Sequence, residues 1–166
     1  MQTAWIRKAA ENYGQHLVTQ RRENDQLLRE EELRRSRENR VATEGPIVGQ
    51  RLWEGLQATL KGHVAEFNQE YGEEMMRTKA LGDGTFEVRL GELGGPERIA
   101  ALTYVSAPPT LSWQVFGGAK SVPLSVGLKS ASHGTASVDE LLFTTGRSYP
   151  SLDELSQQVI STLLPC

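Results

Sequence analysis

The fold of this chain is decided by residues 46–71, which read PIVGQRLWEGLQATLKGHVAEFNQEY. Apolar side chains recur there at spacings of three and four, the period of one face of an α-helix. Gly72 follows, and glycine commonly closes a helix because it adopts a left-handed backbone without strain. The sequence therefore predicts an amphipathic helix over 46–71 whose apolar face comprises Ile47, Val48, Leu52, Trp53, Leu56, Leu60, Val64, Phe67 and Tyr71.

The beginning of this helix is predicted at Pro46. The stretch Thr43-Glu44-Gly45-Pro46 marks a break in the chain. Proline fits the first turn of a helix and disfavours helical backbone in the residue before it. We therefore expect two parts, an arm over residues 1–43 and a domain over residues 46–166.

The arm is predicted to be a long charged helix. Residues 4–41 contain no proline and a single glycine, Gly14, and they are rich in Gln, Glu, Arg and Leu. Acidic and basic side chains also occur four residues apart, as in Asp25 with Arg29. Each such pair stabilises a helix by about 0.2 to 0.5 kcal/mol, so several together favour a helix that is exposed to solvent.

An incomplete apolar stripe runs along the arm. Ile6, Ala9 or Ala10, Tyr13 and Leu17 share one face, and polar residues then follow at Gln20 and Asn24. A coiled coil requires apolar positions over three or four heptads, and this stripe offers about two. The stripe is predicted either to pack on the chain's own core or to contact a second subunit or another protein. The predicted partner-binding residues, which we call the arm stripe, are Trp5, Ile6, Tyr13, Leu17, Leu27 and Leu28.

From Met75 onward the apolar residues recur with a period of two, which is typical of strands that are buried on one face. Gly- and Pro-containing turns separate these segments, and the connections are too short for parallel crossovers. The sequence therefore predicts an antiparallel meander of five to six strands within residues 75–145. The expected strands are 75–81, 85–90, 98–106, 110–116, 121–130 and 135–145.

A second helix is predicted over residues 151–164. Ser151 and Glu154 form a capping-box pattern at its beginning, and Pro165 stops it. Helix, antiparallel strands and helix together predict an α+β domain with two layers, in which both helices cover one face of the sheet. The other face is expected to be polar; its residues are Thr85, Glu87, Arg89, Ser112, Gln114, Ser121, Ser125 and Lys129.

Charge and cysteine content exclude several classes of protein. The 166 residues include 18 Lys plus Arg, 21 Asp plus Glu and one Cys. Acidic and basic residues are interleaved even in the arm, so no basic stripe of the kind that binds nucleic acid is present. No apolar run is long enough to cross a bilayer, and a single cysteine cannot form an intrachain disulfide. We expect a cytoplasmic protein with no transmembrane segment and no nucleic-acid partner.

Catalytic and metal-binding patterns are absent from the sequence. Ser132, His133 and Asp139 have the residue types of a nucleophilic site, but adjacent Ser and His point apart in a turn between strands. One cysteine and three scattered histidines do not make a metal site. The sequence therefore predicts no catalytic residue, no metal and no cofactor. It does not decide whether the protein is an enzyme, but it favours a protein without enzymatic activity.

Two functions remain after these exclusions. The favoured one is a non-catalytic module for protein interaction or assembly, in which the arm contacts a protein partner or a second copy of the chain. The alternative is a domain that binds a small ligand or a lipid head group between sheet and helix. The residues predicted for that pocket are Trp53, Trp113, Phe116 and Arg147.

Overall fold

The described part of the chain forms two helices and one six-stranded sheet. This computed structural model describes residues 3–118, 120–121, 123–129 and 140–165, and the chain divides into two compact units, residues 1–40 and 41–166. The predicted α+β class is confirmed: a long N-terminal helix is followed by an antiparallel meander and a C-terminal helix. The elements are α1 (Thr3–Tyr71), β1 (Met76–Ala80), β2 (Thr85–Leu90), β3 (Arg98–Ser106), β4 (Pro109–Val115), β5 (Leu124–Lys129), β6 (Glu140–Thr144) and α2 (Leu152–Leu163).

The predicted break before Pro46 is wrong. Helix α1 runs without interruption from Thr3 to Tyr71, and Pro46 lies inside it. A proline inside a helix costs about 3 kcal/mol, because it removes one backbone hydrogen bond and crowds the carbonyl four residues earlier. That carbonyl belongs to Ala42, and this residue is exposed. The next turns are held by tertiary packing through Gly49 and Trp53, which are both buried.

The C-terminal end of α1 is fixed by Asn68 and Gly72. Gly72 has a φ of 92°, and its N–H donates to the Asn68 carbonyl, as predicted for a glycine that closes a helix. The Asn68 side chain then contacts strand β1. Its Oδ1 accepts from the N–H groups of Met75 and Met76, at 3.1 and 2.9 Å, and its Nδ2 donates to the Met76 carbonyl. One amide side chain thus attaches the helix to the edge strand.

The sheet is a meander in which each strand pairs antiparallel with the next, in the order β1-β2-β3-β4-β5-β6. The turn between β1 and β2 requires glycine at Gly84, which has a φ of 73° and faces the Tyr104 carbonyl too closely to allow a Cβ. Parts of the two last predicted strands, at 122, 130 and 135–139, lie outside the described residues. So do Ser132, His133 and Asp139.

One face of the sheet forms the core with both helices. Trp53 of α1 stacks on Tyr104 of β3, with ring centroids 5.6 Å apart, and meets Phe86 edge-on at 6.4 Å. The predicted capping box of α2 is present, with Ser151 Oγ accepting from the Glu154 N–H. The buried apolar residues are Trp53, Leu56, Leu60, Val64, Met76, Phe86, Val88, Ala100, Leu102, Tyr104, Leu111, Leu124, Val126, Leu141, Phe143, Leu155, Val159 and Leu163. Among the described residues, no helix combines the length and the apolar character needed to cross a membrane.

Candidate functional site

The first unit of the chain exposes large apolar side chains. Residues 3–40 are entirely helical, and none of them is buried. Tyr13 is 64% exposed, Leu27 is 62% exposed and Leu33 is 63% exposed. Trp5, Ile6, Val18 and Leu28 are exposed as well, whereas Leu17 is only partly exposed. All six residues of the arm stripe therefore lie on a helix that offers them no core of its own.

The arrangement of these side chains follows from the helical period. Ile6, Tyr13 and Leu17 lie on one face because they are spaced by seven and four residues. Leu27 and Leu28 lie on the same side of the helix, about three turns after Leu17. Val18 and Leu33 lie outside this stripe, although they are apolar and exposed to a similar degree. The stripe can therefore be tested against apolar residues of the same unit.

A network of ion pairs follows the arm stripe. Arg34 donates to Glu31 and to Glu38, each at 2.6 Å, and Arg35 donates to Glu31 at 3.1 Å. The hydrogen bond from Arg34 lowers the pKa of Glu31, which therefore stays ionised. These charges are already paired along their own helix. Ion pairs thus connect charged residues along the helix from Glu31 to Glu38.

A Ser, His and Asp grouping joins the two helices of the second unit. His63 Nδ1 lies 2.7 Å from Ser156 Oγ, and His63 Nε2 lies 3.7 Å from Asp153 Oδ1. Ser156 is 0% exposed, so its hydroxyl cannot reach a substrate. The grouping therefore acts as a polar link between α1 and α2. The sequence places His63 within the predicted helix over 46–71, but the spacing of residues there cannot identify Ser156 as its partner, because Ser156 lies far along the chain.

Two open clefts lie along α2, and His63 lines the first of them. One, of about 470 Å³, lies between α1 and α2 and has Phe67 and Ile160 among its lining residues, with Glu66 and Glu70 beside them. The other, of about 630 Å³, is lined by Trp113 of β4 and by polar residues of α2. Among the described residues there is no group of three or more His, Cys, Asp or Glu side chains placed to hold a metal ion.

The residues predicted for a ligand pocket lie in different places. Trp53 is buried in the core, where its ring packs against Tyr104 and Phe86. Trp113 lines the cleft beside α2. Phe116, which is 80% exposed, lies just after β4 beside Gln114. Arg147 is exposed in the turn between β6 and α2. None of the described clefts is lined by more than one of these four residues.

A charged cluster on the outer face of the sheet was not recognised from the sequence. Arg77 and Arg89 face each other across β1 and β2. Glu97 lies between them and accepts from both, at 2.5 and 3.4 Å, while Glu87 accepts from Arg89 at 2.6 Å. The hydrogen bond to Glu87 raises the pKa of Arg89. Two carboxylates balance two guanidinium groups, so the cluster has no surplus charge to offer a ligand.

Comparisons of the chain with protein-family models, with curated proteins and with solved structures found no match.

Proposed function

We propose that this chain is a non-catalytic module for protein interaction or assembly, and that its N-terminal helix provides the contact surface. The observation that supports this proposal is the exposure of the arm stripe. Tyr13 and Leu27 each leave more than half of their surface in water on a helix that buries none of its own residues up to residue 40.

The physical reason is the cost of keeping such a surface in water. Burying one large apolar side chain contributes about 1.5 to 3 kcal/mol, and a contiguous exposed patch of such side chains commonly marks an interaction site. Trp5 and Tyr13 add aromatic surface, which is enriched at protein interfaces. A partner that covers the arm stripe would gain this free energy.

The other candidate functions have less support. A pocket for a small ligand or lipid head group would need Trp53, Trp113 and Phe116 to converge, and none of the described clefts is lined by more than one of them. Catalysis by the His63 grouping would need an accessible Ser156. We also propose a cytoplasmic location, which the single cysteine of the chain supports because extracellular domains often rely on disulfides.

The test compares two leucines of nearly equal exposure in the full chain, Leu27 and Leu33. Leu27→Glu changes the arm stripe, and Leu33→Glu changes a leucine outside it. We expect size-exclusion chromatography with light scattering to give a mass above the 18.4 kDa of one chain for the wild type and for Leu33→Glu. Leu27→Glu should move the mass toward that of a monomer.

If the wild type is a monomer, affinity capture from a lysate provides the second readout. Proteins captured by the wild type and by Leu33→Glu should be lost with Leu27→Glu. The proposal fails if the wild type is a monomer and Leu27→Glu captures the same proteins as the wild type.

A further inference from the structure

We infer that the partner of the arm is the arm of a second copy, and that the two helices form a parallel, in-register coiled coil over residues 6–28. This inference rests on the proposed function and names its partner. The segment would be about 33 Å long, at a rise of about 1.5 Å per residue.

Seven positions of the helix, from Ile6 to Leu27, are separated alternately by four and three residues. This is the period of a two-stranded coiled coil. We call these positions the arm seam. Its d positions are Ile6, Tyr13, Gln20 and Leu27, and its a positions are Ala10, Leu17 and Asn24. Five of the seven are apolar, and the described structure of the arm buries none of them. The apolar positions alone are fewer than a coiled coil usually requires, so the pairing also depends on the two polar positions.

The two polar seam positions determine the orientation. Gln20 and Asn24 carry side-chain amides, each with a donor and an acceptor. In a parallel, in-register pair each amide meets its own copy and can hydrogen-bond to it. Two antiparallel registers pair most seam positions of one helix with seam positions of the other. In these registers Gln20 faces Leu17 or Ala10, so its amide has no hydrogen-bond partner. A buried Asn at an a position is also a known way to specify register in a coiled coil.

The ion pairs set the C-terminal end of the seam. Glu31 occupies the next a position, and it is already bound by Arg34 and Arg35 of its own helix. In a parallel pair the two Glu31 carboxylates would face each other, and like charges at that position are unfavourable. The seam therefore ends with Leu27 and the neighbouring Leu28, before the ionic segment.

The test places a cysteine at Leu27 in the full chain, with Cys166→Ser removing the single native thiol. A parallel pair brings the two copies of position 27 face to face, within the Cα separation of about 4.4 to 6.8 Å that a disulfide requires. The antiparallel registers separate them by about 25 Å or more. Arg29→Cys is the control, because it lies two residues farther on the same helix and points away from the seam.

We expect oxidised glutathione to convert most of Leu27→Cys, and little of Arg29→Cys, into a covalent dimer on non-reducing gels. Ile6→Cys with the control Lys8→Cys repeats the test at the other end of the seam. Circular dichroism checks that each variant remains helical.

Two results would overturn the inference. If the wild type is a dimer by light scattering but neither seam cysteine cross-links above its control, the helices are not parallel and in register, although the proposed function stands. If the wild type is a monomer at every concentration, the partner is not a second copy. The proposed function then depends on the capture experiment with Leu27→Glu.

Discussion

Gly49 of α1 lies directly against the hydroxyl group of Tyr104 in β3. A Cβ added at Gly49 would be 2.5 Å from that oxygen, 3.0 Å from Pro109 Cβ and 3.2 Å from Val126 Cγ2. The Tyr104 hydroxyl is buried and has no hydrogen-bond partner among the described residues, and burial raises its pKa. The helix thus approaches three strands at a point where only a glycine fits.

Gly49→Ala should destabilise the protein by about 1 to 3 kcal/mol, because the added methyl group overpacks this contact. Gly62→Ala is the matched control: it lies in the same helix with open space around it, and it should stabilise by about 0.5 to 1 kcal/mol. Tyr104→Phe should be neutral or stabilising, because it removes an unsatisfied buried hydroxyl. Urea unfolding measures all three. A Gly49→Ala variant as stable as Gly62→Ala would contradict the close approach.

Pro46→Ala should stabilise the chain by up to about 3 kcal/mol, because it restores the hydrogen bond to the Ala42 carbonyl and removes the steric conflict of a proline inside a helix. Urea unfolding measures the gain, and amide hydrogen exchange should show protection at position 46. Pro96→Ala, in the turn between β2 and β3, is the control and should give no comparable gain. Equal stability of the Pro46→Ala variant and the wild type would indicate that α1 is interrupted there.

Ser156→Ala should destabilise the protein by about 1 to 2 kcal/mol, because it leaves His63 Nδ1 without the hydroxyl 2.7 Å away. Ser161→Ala is the control, since Ser161 is exposed on the same helix and its replacement should change the free energy of unfolding little. Thermal and urea unfolding provide the measurement. If both variants are equally stable, the contact between His63 and Ser156 contributes nothing to the packing of α1 on α2.

Glu31 should titrate at a lower pH than an ordinary glutamate, because the hydrogen bond from Arg34 stabilises its charged form. The pKa is lower in the folded state. The stabilisation is therefore complete above the ordinary glutamate pKa of about 4.3 and is lost as the pH falls through the lowered value. The ¹³C shift of the Glu31 carboxyl group measures this. Arg34→Gln should raise the pKa of Glu31, Arg22→Gln should leave it unchanged, and equal values in the two variants would contradict the pairing.

Local patterns were sufficient for most of the fold. The apolar period of three and four identified the core face of α1 through Trp53, Leu56 and Leu60, and the period of two identified the strands. The capping box at Ser151 predicted the beginning of α2 because a cap is formed by residues close in sequence. The residues of the arm stripe were identified in advance, but the sequence left open whether they pack on the chain's own core; the structure shows them exposed or partly exposed.

The break predicted at Pro46 shows where local reasoning failed. Proline preferences describe isolated segments, and tertiary contacts override them when the neighbouring turns are buried. The contacts of Asn68 with β1, of His63 with Ser156 and of Glu97 with two arginines were missed for a related reason. Each joins residues whose proximity depends on how helices and strands pack.

The sequence by itself determined the helical and extended segments, the antiparallel order of the strands and the position of the arm stripe, because these follow from the spacing of apolar and turn residues along the chain. Only the tertiary structure decided that α1 continues through Pro46, that Gly49 meets Tyr104 and that Ser156 is inaccessible. Those features depend on distances between residues far apart in sequence, and such distances are set by the packing of the whole domain.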